Sequence, residues 1–151
     1  MSQPKLASLI PQTIPPGTPP TGEVMHISSF GIVRRGNAIL LMKKLRPERH
    51  AGRWTLPASV INYGEDPAEA MKRIVASNLG KEPTGLKLID LQSYGVEHWD
   101  LCCVYGVQLP DVGTLSKDVE KVEYFDVSSL PQELVEGHRE VLQMLIDRKL
   151  V

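Results

Sequence analysis

Apolar and polar positions along this chain repeat with two periods, and each period predicts a different element. Apolar residues that alternate with polar ones are typical of half-buried strands. Apolar residues three and four positions apart predict helices that pack on a core. The strand pattern covers residues 24–34, 38–44, 53–56, 84–93, 99–109 and 121–125. The helix pattern covers residues 67–79 and 138–149.

The first predicted helix has capping residues at both ends. Asp66 suits the N-cap, Pro67 the first helical position and Glu69 the capping-box position. Gly80 is a natural left-handed stop. Its apolar stripe, which we expect to face the core, consists of Met71, Ile74, Val75 and Leu79.

Residues 1–22 differ from the rest because they hold half of the 12 prolines. Proline lacks a backbone donor, so this segment favours extended polyproline geometry over a helix or a strand ladder. Two hypotheses stay open: an arm or leader on the domain surface, or a strap that docks on a partner protein. Apolar anchors for a strap are Leu6, Leu9, Ile10 and Ile14. We therefore divide the chain into an arm, 1–22, and a folded domain, 23–151.

Composition indicates one ordinary folded domain. The chain has 151 residues, 42% of them apolar and 23% charged, with a net charge of −1. That balance gives no indication of a nucleic-acid partner. No apolar run reaches the length of a membrane span, and the N-terminus does not resemble a signal peptide. Adjacent Cys102 and Cys103 are expected to be small apolar strand residues in a reducing cytoplasm.

Residues 54–80 carry the frame of a known motif. The pattern is G-x5-E-x7-R-E-U-x-E-E-x-G-U, where U is a bulky aliphatic residue, and a W-x-L-P lead usually precedes it. Residues that match the lead or the pattern are Trp54, Leu56, Pro57, Gly64, Glu65, Ala70, Arg73, Val75 and Gly80. This segment resembles the box of the Nudix hydrolase superfamily. The end of the chain looks closest to the ADP-ribose and nucleotide-sugar branch.

The resemblance implies a Nudix fold, an α/β (α+β) domain built as an α/β/α sandwich with a mixed central sheet and a box loop and helix. In the family, three helix glutamates share one face and hold Mg²⁺ or Mn²⁺, which activates water against a diphosphate. Those positions are Ile74, Ser77 and Asn78 here. We therefore predict a degenerate box with no resident cofactor. Glu65 is left as the one candidate metal ligand in the box, and the favoured interpretation makes it an ion-pair partner of Arg73. Glu69, one turn earlier, is the other possible partner of Arg73.

The resemblance also places a ligand between the box helix and the neighbouring loops. Arginines suit phosphate because they form paired hydrogen bonds, and aromatic side chains could stack on a base. The candidate ligand-binding residues are Arg46, Arg49, Arg53, Tyr63, Glu65 and Trp99. His50 and His138 lie in the same region, and His138 could also be an ordinary surface residue.

Two functions remain open. The favoured one is a catalytically degenerate module that binds a nucleotide-like ligand or another protein, through the arm or as a homodimer. The alternative is a hydrolase of nucleoside diphosphate derivatives that requires Mg²⁺ or Mn²⁺ and uses Glu65 and Arg73. Its missing base would come from acidic residues outside the box, such as Glu97, Asp100, Glu120 and Glu123.

Overall fold

The computed structural model describes residues 25–95 and 99–151. The arm and the turn at 96–98, with Glu97, lie outside the described residues. The strands in the described part are β1 (Met25–Arg35), β2 (Ala38–Lys44), β3 (Trp54–Thr55), β4 (Ala58–Val60), β5 (Gly85–Gly95), β6 (Trp99–Gln108) and β7 (Val119–Asp126). The helices are α1 (Pro67–Leu79), α2 (Glu136–Asp147) and a 3-10 turn at Glu48–His50.

Strand β1 is the centre of a mixed sheet. It runs parallel to β6 and antiparallel to β2 and β4. Strand β6 continues antiparallel to β5, and β2 pairs with β3 and β7. β1 and β2 pair only at Arg34–Ile39 and Arg35–Ala38, next to their hairpin turn. Beyond that turn the two strands diverge, and a cleft separates their far ends.

A helix covers each face of the sheet. Neighbouring residues on a strand point to opposite faces, so Cys102 packs in the core under α2 and Cys103 in the core under α1. Both cysteines are free and buried. The predicted α/β/α sandwich with a mixed sheet is confirmed. Neither α1 nor α2, the helices of the described part, is long and apolar enough to cross a membrane.

Helix α1 has the predicted bounds and caps. Asp66 Oδ1 accepts a hydrogen bond from the backbone N–H of Ala68 at 2.8 Å. Gly80 ends the helix with φ at 76°, and a Cβ at this position would collide with the Thr114 backbone. The predicted stripe of Met71, Ile74, Val75 and Leu79 is buried. Capping and burial together hold this helix in place.

Two parts of the fold differ from the sequence prediction. Residues 58–60 were expected in a loop, yet they form β4, antiparallel to β1. The divergence of β2 leaves that edge of β1 open, and β4 supplies its missing hydrogen bonds. The last helix begins at Glu136 rather than at 138 and ends at Asp147. No polar side chain caps its N-terminus, so the sequence lacked the usual start signal.

Candidate functional site

A cavity of about 890 Å³ lies where β1 and β2 diverge. Both half-sheets and both helices contribute to its walls. From the strands come His26, Ser28, Phe30, Met42, Lys44, Thr55, Ala58, Ser59, Val60, Asp100 and Cys102. From the helices and the 3-10 turn come Pro47, Arg49, His50, Arg73, Ile74, Ser77, Asn78, Val135, Gly137, His138 and Val141. The fold therefore places the box helix opposite the start of α2, across one cavity.

Apart from Arg73, the α1 wall of this cavity carries neutral groups. Ile74 is 1% exposed and packs among the core residues under α1. Ser77 Oγ donates to the Ile74 carbonyl oxygen at 3.2 Å, and Asn78 Nδ2 donates to the same oxygen at 2.9 Å. Both polar side chains are thus hydrogen-bonded to their own helix.

Glu65 and Arg73 form a two-point ion pair that ties the box loop to α1. Arg73 Nε and Nη2 donate to the two carboxylate oxygens of Glu65, each at 2.9 Å. The backbone N–H of Asn62 also donates to Glu65 Oε1 at 3.0 Å. These hydrogen bonds, mainly that from Arg73, lower the pKa of Glu65. Glu69, the other partner open to Arg73, pairs instead with Lys72 at 3.2 Å.

The opposite wall is cationic. Lys44 ends β2, and burial lowers its pKa despite the opposing attraction of Asp118. Burial also lowers the pKa of His50, and the charges of Arg49, Lys44 and Arg53 lower it further. The positive charges of Arg49, Lys44 and Arg53 therefore lie close enough to His50 to oppose its protonation.

His138 stands between this rim and the core. Its Nδ1 accepts a hydrogen bond from the backbone N–H of Leu56 at 2.9 Å. Its ring meets Phe30 edge-on at 5.1 Å and lies 6.2 Å from the His50 ring. Burial, followed by the charges of His50 and Lys44, lowers the pKa of His138 to about 3. The imidazole is therefore neutral near pH 7, and because Nδ1 accepts, its proton sits on Nε2.

The structure brings only part of the predicted set into the cavity. Arg49 and Arg73 line it. The lining does not include Arg46, Arg53, Tyr63, Glu65 or Trp99. Tyr63 is 96% exposed, and Trp99 is 44% exposed with its Nε1 donating to Ser93 Oγ at 2.7 Å. Arg46 Nε lies 4.0 Å from Asp118 Oδ1. Among the proposed outside carboxylates, Asp100 lines the cavity, whereas Glu120 and Glu123 are exposed on β7.

The sequence placed His50 and His138 among the candidates for the ligand site, whereas Lys44 was expected to be a solvated strand end; all three line the cavity. The partner of His138 is 82 residues away along the chain. The cluster arises from the divergence of β1 and β2, which no local pattern announces.

The described residues do not fit a divalent cation at the box helix. Ile74 offers no donor atom, and Ser77 and Asn78 offer neutral oxygens only. Both Glu65 oxygens already accept from Arg73. Within residues 25–95 and 99–151, no three histidine, cysteine, aspartate or glutamate side chains gather as a metal site.

A family model described as the NUDIX domain matches residues 25–145. The chain belongs to the Nudix family. A Mycobacterium tuberculosis protein, provisionally named 8-oxo-dGTP diphosphatase 2, is 30% identical over an alignment of 111 residues that covers 58% of this chain and 79% of the relative.

Solved structures share the fold at lower identity. The MutT NUDIX hydrolase of Burkholderia pseudomallei superposes with a TM-score of 0.68 at 23% identity, over 80% of this chain and 98% of that one. The NUDIX domain of Shewanella oneidensis NrtR, solved with ADP ribose, superposes with a TM-score of 0.63 at 14% identity, over 84% and 88%. At these identities the likeness concerns the fold alone.

Proposed function

We propose that this Nudix protein binds a nucleotide-like anion in the cavity between β1 and β2 and does not hydrolyse it by box chemistry. The observation that carries the proposal is the make-up of the box helix. Ile74 is 1% exposed and offers only apolar surface, and the side chains of Ser77 and Asn78 are bonded to its carbonyl. This wall lacks the carboxylates that would hold a divalent metal against water.

The cavity supports the binding half of the proposal. Its volume of about 890 Å³ is in the range of small-molecule sites, and its rim carries Lys44 and Arg49. The Shewanella oneidensis domain with the same fold was solved with ADP ribose. A nucleoside diphosphate derivative of that kind therefore belongs to the first ligand class to test.

The second candidate is a metal-dependent hydrolase, and two observations favour it. The Mycobacterium tuberculosis relative carries the name of a diphosphatase. Asp100 brings a carboxylate from β6 to the cavity. In that case Mg²⁺ or Mn²⁺ would bind outside the usual box positions, and Glu65 and Arg73 would contribute to activity.

The deciding experiment is thermal unfolding against a nucleotide panel that includes ADP ribose, ADP and dGTP, in EDTA and then in Mg²⁺ or Mn²⁺. A ligand that binds only the folded state raises the midpoint by mass action. The proposal expects a rise in EDTA for one nucleotide class and unchanged nucleotide on chromatography. A rise that requires metal, together with released product, would establish the hydrolase instead.

Contact with a protein partner, or with a second copy, is proposed for the α1 face of the sheet beyond the helix. Exposed apolar side chains there are Met25, Ile27, Leu88, Leu91 and Trp99. Sedimentation of the full chain tests the second copy. A dimer that Leu91→Ser converts to a monomer supports it, and a monomer at all concentrations contradicts it.

We also propose a cytoplasmic location. The support is the pair of free, buried cysteines, Cys102 and Cys103, whose raised pKa values come mainly from burial. Buried thiols of this kind behave as small apolar residues.

A further inference from the structure

We infer that the cationic rim of the cavity is a phosphoryl subsite, in which Lys44, Arg49, His50 and His138 hold the diphosphate of the ligand without a divalent metal. The subsite rests on the proposed nucleotide ligand and specifies where its charged part lies. It stands across the cavity from the box helix, where the family resemblance would place the phosphates.

Backbone hydrogen bonds hold the cations of the rim together. The 3-10 turn closes through the bond from His50 N–H to the Pro47 carbonyl at 2.8 Å. Two hydrogen bonds tie the residues after this turn to Lys44 at the end of β2. The Lys44 N–H donates to Arg53 O at 2.9 Å, and the Lys44 carbonyl accepts from the Gly52 N–H at 2.8 Å. Lys44, Arg49 and His50 are thus presented on one rigid corner that lines the cavity.

The first turn of α2 can add a backbone donor to this corner. Val135, Gly137 and His138 line the cavity, and no described side chain caps the helix. The N–H groups of Val135 and His138 already donate to Trp54 O and Val135 O, each at 3.0 Å, so the donor that this turn can offer is the N–H of Gly137. The first N–H groups of a helix have no partner inside it, and its N-terminus carries partial positive charge. Such an end favours an anion, although Glu136 in the same turn brings an opposing charge that is exposed to solvent.

His138 adds a neutral side-chain donor to the rim. Its imidazole is strongly desolvated and neutral, with Nδ1 occupied by the N–H of Leu56. His138 lines the cavity and its Nδ1 is already engaged, so Nε2–H is the donor that this side chain offers to a ligand. An anionic oxygen of a bound ligand is a suitable acceptor for it.

The charges of the cavity favour a phosphate over a cationic ligand. Glu65 neutralises Arg73, which leaves Lys44 and Arg49 at the rim. Asp118 attracts Lys44 but lies outside the cavity lining, and its Oδ1 is 4.0 Å from Arg46 Nε. Among the described residues that line the cavity, the acidic one is Asp100. Because the α1 wall holds neutral groups, it does not repel the ligand's negative charge.

Inorganic pyrophosphate in EDTA is the probe, with the full chain and two readouts. Calorimetry gives the dissociation constant, and proton NMR of the imidazoles gives the pKa of His50. We expect pyrophosphate to raise the pKa of His50, because its charge offsets those of Lys44, Arg49 and Arg53. Arg49→Gln should weaken binding about tenfold, as expected for loss of a charge-assisted hydrogen bond.

The matched control is Arg34→Gln, which removes the same charge from an exposed arginine at the hairpin turn far from the cavity. It should leave the dissociation constant unchanged. Equal weakening by Arg34→Gln and Arg49→Gln, or no change in the pKa of His50, would overturn the subsite, because binding would then follow overall charge.

His138→Asn tests the neutral donor separately. Asparagine can keep an acceptor near Nδ1 for the N–H of Leu56, while the Nε2–H is lost. We expect about tenfold weaker pyrophosphate binding with an unchanged circular dichroism spectrum. If this variant does not fold, Arg49→Gln and the NMR titration still decide. Unaltered affinity in a folded His138→Asn protein would remove His138 from the subsite.

The subsite and the proposed function fail in different ways. ADP bound equally by wild type and Arg49→Gln would overturn the subsite and leave nucleotide binding intact. If pyrophosphate binds and raises the pKa of His50, but no nucleotide of the panel binds, the subsite is supported and the nucleotide ligand is overturned. No binding of either probe would overturn both.

Discussion

The two walls of the cavity are built from the same fold but in opposite ways. On the α1 wall, Ile74 is buried and the polar side chains bond back to the helix. On the other wall, Lys44, Arg49 and His50 gather positive charge around an uncapped helix start. The first wall is accounted for by capping and packing alone. The second wall costs free energy, because its charged and polar groups are desolvated. The requirements of folding alone do not explain that cost.

This contrast separates the frame of a motif from its chemistry. Asp66, Pro67 and Gly80 specify where α1 begins and ends, and Met71 and Leu79 fix its core-facing side. None of those functions requires a metal-binding carboxylate. The frame of a Nudix helix therefore forms independently of metal-binding carboxylates.

The largest predicted effect restores a family carboxylate to the α1 wall. Ile74→Glu should lower the free energy of unfolding by more than about 3 kcal/mol, because it removes core contacts and buries a charge. Urea unfolding measures the change. Ile74→Val is the matched control and should cost only about 1 kcal/mol. A well-folded Ile74→Glu protein that gains Mn²⁺ binding would show that this wall is open, against our account.

The next effect concerns the opposite wall and depends on pH. The pKa of His138 is lowered to about 3 in the folded chain, so the unfolded chain binds the proton more readily. The stabilisation from neutral His138 is present above about pH 6.5 and is lost as the pH falls toward 3. Wild type should lose about 2 kcal/mol between pH 7.5 and 5 through this group.

His138→Asn is the comparison for that pH dependence. His50 also has a lowered pKa and acts in the same direction, but it is present in both proteins and so cancels in the difference. Urea unfolding at pH 7.5 and pH 5 should show the additional loss in wild type only. Equal losses in the two proteins would mean that His138 is not desolvated.

A smaller effect tests the capping of the α1 wall. Asp66→Ala removes the acceptor for the Ala68 N–H and should cost about 1 kcal/mol. Asp66→Asn keeps an acceptor oxygen and should leave the thermal midpoint nearly unchanged. If the two substitutions cost the same, the charge of Asp66 matters more than its hydrogen bond.

The smallest effect is expected at the loop–helix ion pair. Glu65→Gln should cost little stability at pH 7, since exposed ion pairs contribute weakly. Because the pKa of Glu65 is lowered, its contribution is present above about pH 4.5 and disappears as the pH falls further. Binding of ADP in EDTA should not change. The control is Glu69→Gln, which breaks the pair with Lys72 on the same helix. If Glu65→Gln loses a measurable diphosphatase rate and Glu69→Gln keeps it, the hydrolase is favoured.

The sequence predicted the local parts of this molecule well, because local rules determine them. The caps at Asp66 and Gly80 and the stripe through Ile74 follow from residues within a few positions of each other. The mixed central sheet followed from the family resemblance. Strand β4 was missed because it depends on an edge of β1 that opens only when β2 diverges.

The candidate site was harder to predict for the same reason. Arg49 was recognised by residue type, but its neighbours Lys44 and His138 come from different elements. Tyr63 and Trp99 were chosen as aromatic residues in suitable segments, and the fold directs them away from the cavity lining. Residue type indicates which chemistry is available, whereas only the tertiary fold determines which side chains meet.

The most direct test of the central claim is paramagnetic broadening by Mn²⁺, measured on backbone amides of the full chain saturated with ADP. The account predicts no selective broadening at Glu65, Ser77 or Asn78, and ADP that stays intact. Selective loss of those signals at low Mn²⁺, accompanied by release of phosphate, would contradict it and show that the box helix holds a catalytic metal.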